Sequence, residues 1–311
     1  MRVCLAIVAL LLTAHGSSAQ DPSMMPEGSV IVRGLAAASS LKLDTEGRLY
    51  IADPGRHVVD IRQPDGRHAY VLGGPGTRES EFDEPADVDP TNGLIIAVAD
   101  AGNGKIQRFT SRFQLVESIP LYRSTTTVPG AGAGASDVDE SRDGRIPGRP
   151  VAVAVSESNE TFAIDQVRGV VAKWDIGRQF VTFIGDESDY GRLDRPVDME
   201  IMGDRLFVAD AGLKSIVVFD LFGGFVTEFG SGRLSQISGI GSWGRMLWVL
   251  HGRELTVYSA NGRMEGRYTL PNSISTAVDV AVIERSLYVV AQDRVINWPL
   301  DSSGRIALGV E

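Results

Sequence analysis

The feature that most constrains this chain is a short apolar run that recurs six times. It reads Leu49-Tyr-Ile-Ala-Asp53, Ala97-Val-Ala-Asp100, Phe162-Ala-Ile-Asp165 and Phe207-Val-Ala-Asp210, then, in degenerate form, Trp248-Val-Leu-His251 and Tyr288-Val-Val-Ala291. The last residues of these runs lie 47, 65, 45, 41 and 40 positions apart, close to the repeat length of propeller blades. The fullest copy spans residues 196–230. There Val197 to Ile201, Arg205 to Ala209, Ser215 to Asp220 and Phe225 to Phe229 read as four strands, and Gly203-Asp204, Ala211-Gly212 and Gly223-Gly224 punctuate them. Glycine tolerates positive φ, so these pairs suit tight turns. A four-stranded sheet of this size cannot bury both faces alone, so it must stack on its neighbours.

Six copies predict an all-β fold, a six-bladed β-propeller of four-stranded antiparallel blades. One bulky residue aligns in each third strand: Ile61, Phe109, Trp174, Phe219, Tyr258 and Trp298. Ser29 to Arg33 reads as a strand without a partner in blade one. It is expected to close the ring as the outer edge of blade six, in competition with Arg305 to Gly309, because closure removes an open sheet edge.

The aspartate ending strand two resembles the NHL-repeat family. So does the glycine-rich run into a bulky residue and proline, Gly73-Gly-Pro-Gly-Thr-Arg-Glu-Ser-Glu-Phe82-Asp-Glu-Pro85, echoed by Gly191-Arg-Leu193-Asp-Arg-Pro196. The likeness is strong in blades one to four and weak in five and six, where His251 and Ala291 replace the aspartate. It implies a fold rather than one function, since NHL propellers serve as enzymes, sensor domains and binding platforms.

Residues 1–19 read as a secretory leader: Arg2 at the start, an apolar core from Leu5 to Leu12, and small residues 17–19 before Gln20. The apolar run is too short to span a bilayer. Residues 20–29 form a polar lead and 30–311 the propeller. The only cysteine, Cys4, falls in the leader, so the mature chain can form no disulfide. An exported protein without disulfides points to a bacterial periplasmic or extracellular setting. The formal net charge of -10, with 30 Lys+Arg against 40 Asp+Glu, argues against nucleic acid as a partner. No membrane insertion of the mature chain is expected.

Aligning first strands on the residue two after the proline position gives Ser40, Asp87, Ala152, Asp198, Gly239 and Asp279. Carboxylates on alternate blades should meet near one mouth of the central channel. Two readings follow. The aspartates can accept backbone N–H groups of an adjacent blade. Alternatively they hold a hard divalent cation, Ca²⁺ or Mg²⁺, with Glu200 as a further ligand or base. The resemblance adds that zinc lyases of this fold need three channel histidines. His57 and His68 fall on turns at opposite faces of blade one and His251 on blade five, so the three cannot easily meet. Related lactonases hold a cation with carboxylates and an asparagine.

Between blades two and three lies an insertion, 123–149, whose glycine-alanine run and acidic Asp137, Asp139 and Asp143 suggest either a mobile insertion or a lid or partner-binding loop. Their spacing misses the EF-hand pattern. Trp243 is a contact candidate on the opposite face, and Asn159-Glu-Thr161 matches a glycosylation sequon. No Gly-x-Ser-x-Gly elbow, P-loop or CxxC occurs. The favoured expectation is an exported propeller binding a protein, peptide or glycan at the channel mouth, with no cofactor required. The alternative is a metal-assisted hydrolase or lactonase using Asp198 and Glu200.

Overall fold

The computed structural model describes residues 22–124, 145–186 and 190–306. The leader, Cys4 and the loop carboxylates Asp137, Asp139 and Asp143 lie outside the described residues.

Six antiparallel four-stranded sheets form the blades. Their innermost strands are Ser40–Leu43, Pro85–Asp89, Pro150–Val155, Pro196–Met202, Ile237–Trp243 and Ala277–Ile283. Each packs on the next, and the sixth returns to the first, so the ring is closed. Stacking buries both faces of every second strand. In Leu49–Asp53, Thr161–Asp165 and Arg205–Asp210 even the terminal aspartate is buried. The six bulky third-strand residues are all buried, as expected of side chains wedged between blades.

The aspartates ending strand two bind backbone. Asp210 accepts from the N–H groups of Asp194, Arg195, Gly212 and Leu213 at 2.8–3.0 Å. Asp53 takes those of Ala36 and Ala37, both at 3.0 Å. Each thus ties the segment entering its blade to the turn after strand two. The repetition of this residue is architectural.

The N-terminal strand Ser29–Arg33 pairs antiparallel with Arg294–Pro299 and completes blade six. The C-terminal competitor contributes only a bridge between Leu300 and Ile306 among the described residues. A second clasp went unread in the sequence, where 20–29 passed for a polar lead. Ser23–Met24 runs parallel to the outer strand of blade five, Met264–Thr269. Met25 behind it is buried, and Trp298 donates its indole N–H to the Pro26 carbonyl at 2.8 Å. A two-residue strand is too short to show periodicity. Gly28 is needed here, because a Cβ would lie 2.5 Å from the Ile296 and Trp298 side chains.

Candidate functional site

The site grows from a repeated irregularity. In five of the six blades the pairing of strands one and two slips by one residue just before the aligned position, between Pro85 and Asp87, Pro150 and Ala152, Pro196 and Asp198, Ile237 and Gly239, and Ala277 and Asp279. Such a bulge re-aims the side chain that follows it. Asp87, Asp198 and Asp279 are thereby turned inward and are almost fully buried.

Each then does the same thing. One oxygen of Asp87 accepts from its neighbour Val88 N–H at 2.8 Å, and the other from Val153 N–H of blade three at 2.8 Å. Asp198 accepts from Met199 and from Ile240 of blade five, both at 2.7 Å. Asp279 accepts from Val280 and from Leu41 of blade one, both at 2.7 Å. Carboxylates on blades two, four and six therefore staple the inner strands of blades three, five and one. These N–H groups lie on the axial edge of each blade and have no strand to pair with. Ser40, aligned with the aspartates on blade one, donates its hydroxyl to Asp87.

One turn of the pleat further along, the sequence reading had singled out only Glu200. The structure adds Lys42 and Asp89. Lys42 extends from blade one across the axis to the opposite blade, where its ammonium pairs with Glu200. It also donates to the Ile240 carbonyl at 3.4 Å. The second Glu200 oxygen accepts from the Ser242 hydroxyl at 2.8 Å. Asp89 accepts from Thr91 N–H at 2.8 Å and from Val155 N–H at 2.6 Å. Glycine at 239 and 241 lets blade five come this close to blade six: a Cβ on Gly241 would lie 2.5 Å from the Val280 carbonyl oxygen.

The electrostatics follow from burial. Desolvation raises Asp198 to a pKa of about 7, with the Asp87 and Glu200 charges adding to it and Lys42 opposing. Asp279 is pushed well above the carboxylate range by desolvation and by Asp198. Asp87 rises through desolvation, opposed by Lys42, and Asp89 is raised to about 6 by desolvation. Burial alone would lower Lys42, but Glu200, Asp198, Asp279 and Asp87 together raise it well above its ordinary value. Asp87, Asp89, Asp198 and Asp279 thus crowd around one ammonium, and burial shifts all four toward the protonated form.

A cavity of about 260 Å³ opens on this cluster, lined by residues of five blades, among them Lys42, Thr91, Glu200, Ser242 and Ile283. These residues stand toward the far ends of the inner strands. The expected mouth lay at the other end, beside the insertion 123–149, whose described stem is the hairpin Tyr122–Ser124 and Arg145–Pro147 at the entry to blade three. The cavity and this stem therefore sit at opposite ends of the channel. The reason is the direction of the first strands: the stapled aspartates stand toward the entry end, and the small Gly241, Ser242 and Ala281 of blades five and six leave room at the exit end. Trp243, half-exposed, belongs to the same face as the cavity and packs beside Gly304.

The remaining candidates do not join this site. His57 takes a left-handed conformation (φ 56°), and its Nδ1 accepts from Glu84 N–H at 3.2 Å. His68 begins the outer strand of blade one, and buried His251 pairs with the Thr256 hydroxyl at 2.9 Å. The sequon residue Asn159 accepts from the Arg108 guanidinium at 2.6 Å, so its amide is engaged in holding blades two and three. Among the described residues no group of three or more His, Cys, Asp or Glu side chains is arranged to hold a metal ion.

No protein-family model and no curated protein matches the sequence. Solved structures do resemble the fold. A streptogramin B lyase superposes with a TM-score of 0.60 at 10% identity, covering 89% of this chain and 87% of the other. Virginiamycin B lyase from Staphylococcus aureus superposes with a TM-score of 0.58 at 11% identity, over 86% and 85%. A catalytically inactive variant of that lyase with quinupristin gives 0.58 at 10%, over 89% of each chain. Likeness at this level of identity establishes the six-bladed propeller and nothing finer.

Proposed function

We propose that this chain is an exported NHL-type propeller that works as a binding module, seating a polar group of a protein, peptide or glycan partner in the axial cavity floored by Lys42, Glu200 and Ser242. One observation carries the reading. Asp87, Asp198 and Asp279, the residues an enzyme of this kind would need free, are committed to backbone N–H groups of the next blade. What faces the opening is a closed Lys–Glu–Ser network beside apolar Leu43, Ile201 and Val282. A few polar groups on an apolar wall suit orientation and recognition. The volume of about 260 Å³ admits one side chain or one sugar ring rather than a whole peptide. Export rests on the leader-like residues 1–19.

The test is a labelled mature protein on peptide and glycan arrays, beside Ser242→Trp, which plugs the mouth. Hits seen with the parent and lost with Ser242→Trp are expected. An identical hit pattern for both proteins would overturn the reading.

The structural neighbours suggest a second reading, a lyase acting on a streptogramin B such as quinupristin. The inactive variant among them carries alanine in place of one histidine. No histidine lines the cavity here. Quinupristin incubated with the protein should therefore remain intact by mass spectrometry, and its conversion would favour the lyase.

A further inference from the structure

We infer that the Lys42 ammonium is the resident cation of this channel, doing structurally what the carboxylate ring would otherwise require of a divalent metal ion. The argument begins with the donor set. A hard cation such as Ca²⁺ takes six to eight oxygens about 2.3–2.6 Å away, all with lone pairs free to face it. Here each of Asp87, Asp198 and Asp279 has an N–H aimed at both of its oxygens, one from its own strand and one from the next blade. Both oxygens of Glu200 are also engaged, one by Lys42 and one by Ser242. The carboxyls of the ring are directed at neighbouring blades, and the residues present do not fit a metal site.

Charge balance reaches the same point independently. Lys42 is only 5% exposed, so its charge depends on protein partners. It is held there by an ion pair with Glu200 and by the Ile240 carbonyl. That contact reaches across the ring from blade one, so the ammonium draws opposite walls of the channel together as a coordinated ion would. Glycines at 239 and 241 bring blade five in close enough to offer the carbonyl. A lysine is a cation that cannot be chelated away, so the fold is secured without a metal supply. The same logic makes the lysine hard to replace. Removing the ammonium frees one Glu200 oxygen but leaves the three aspartates bound to backbone N–H groups, so a hard cation finds too few free oxygens to replace it.

The experiment uses the mature protein, Lys42→Ala and Lys42→Gln, each melted in millimolar EDTA and in millimolar calcium chloride, with elemental analysis of the desalted parent. The parent is expected to carry no stoichiometric divalent metal and to melt at the same temperature in both buffers. At least one of the two variants should melt roughly 10 °C lower in EDTA, the scale expected for orphaning a buried charge partner. Calcium should return none of this, because the aspartate oxygens stay bound to backbone N–H groups. Three results would overturn the inference: one equivalent of divalent metal in the parent, a parent melting temperature lowered by EDTA, or Lys42 variants that calcium restabilises saturably. Should both variants fail to fold in either buffer, the parent's metal content and EDTA response alone decide it.

Discussion

Raising the pH from 5 to 8 should destabilise this protein, the reverse of the usual response of a surface rich in ion-paired carboxylates. The prediction comes from the axial carboxyls. Asp89 and Asp198 have an ordinary pKa of 3.8, raised in the fold to about 6 and about 7. Between 3.8 and those values the native state binds protons that the unfolded chain has released. Stability is therefore greatest at low pH and is lost as pH climbs through the folded values. One pKa unit corresponds to about 1.4 kcal/mol, so between pH 5 and 8 the two groups together account for a loss of about 4 kcal/mol. Asp87 and Asp279 are shifted in the same direction and add to it. The facing charges are Lys42 on blade one, held well above its ordinary value, and its partner Glu200 on blade four. His251 opposes the trend: burial lowers it below 6.5, so the unfolded chain takes up its proton first and stability rises toward pH 6.5. That single group offsets at most about 2 kcal/mol above pH 5. Urea denaturation at fixed ionic strength, at pH 5, 6.5 and 8, measures the sum. From pH 6.5 upward the histidine no longer contributes and the fall should be unopposed. Asp198→Asn should flatten that limb, at a pH-independent cost of about 1–3 kcal/mol for the backbone N–H it leaves unpaired. Stability that holds level or rises between pH 6.5 and 8 would refute the reasoning, as would an Asp198→Asn curve parallel to the parent's.

Two further outcomes follow from the fold. Gly241→Ala forces a Cβ to within 2.5 Å of the Val280 carbonyl oxygen, a backbone atom that cannot swing aside, so it should cost roughly 1–3 kcal/mol by thermal or urea denaturation; a neutral result would mean that blades five and six do not approach as closely as described. Asp210→Ala removes the acceptor of four backbone N–H groups and should cost at least about 3 kcal/mol, whereas the aligned position in blade six already holds Ala291, so Ala291→Asp is not expected to return a comparable gain.

The blades were legible because their signals are local. A run such as Phe207-Val-Ala-Asp210 carries its own period, its own turn and its own length, and repetition supplied the count. Ring closure was legible for a related reason: Ser29–Arg33 is a strand whose own blade has no place for it, and blade six lacks a fourth. The axial aspartates were also within reach, since aligning first strands places Asp87, Asp198 and Asp279 on alternate blades. The sequence offered two uses for them, and their observed hydrogen bonds are those of the backbone-stapling one.

Lys42 escaped the same alignment for a physical reason. In Ser40-Leu-Lys-Leu43 a lysine between leucines reads as the solvent side of a half-buried strand, and nothing nearby contradicts that. Its partner Glu200 is 158 residues away. Only the closed ring brings the two together, by setting blade one opposite blade four. Extending the alignment by one pleat, from Ser40 and Asp198 to Lys42 and Glu200, would have put a cation and an anion in one layer of the channel. The place of the cavity could not be read this way. It depends on which side chains are small enough to leave volume, and at Gly241, Ser242 and Ala281 that is a property of blades five and six, the two whose repeat signature is most eroded. The strand-two positions that lost the aspartate, His251 and Ala291, do not line the cavity; its small residues sit instead on the first strands of the same two blades, where the repeat pattern gives no warning of them.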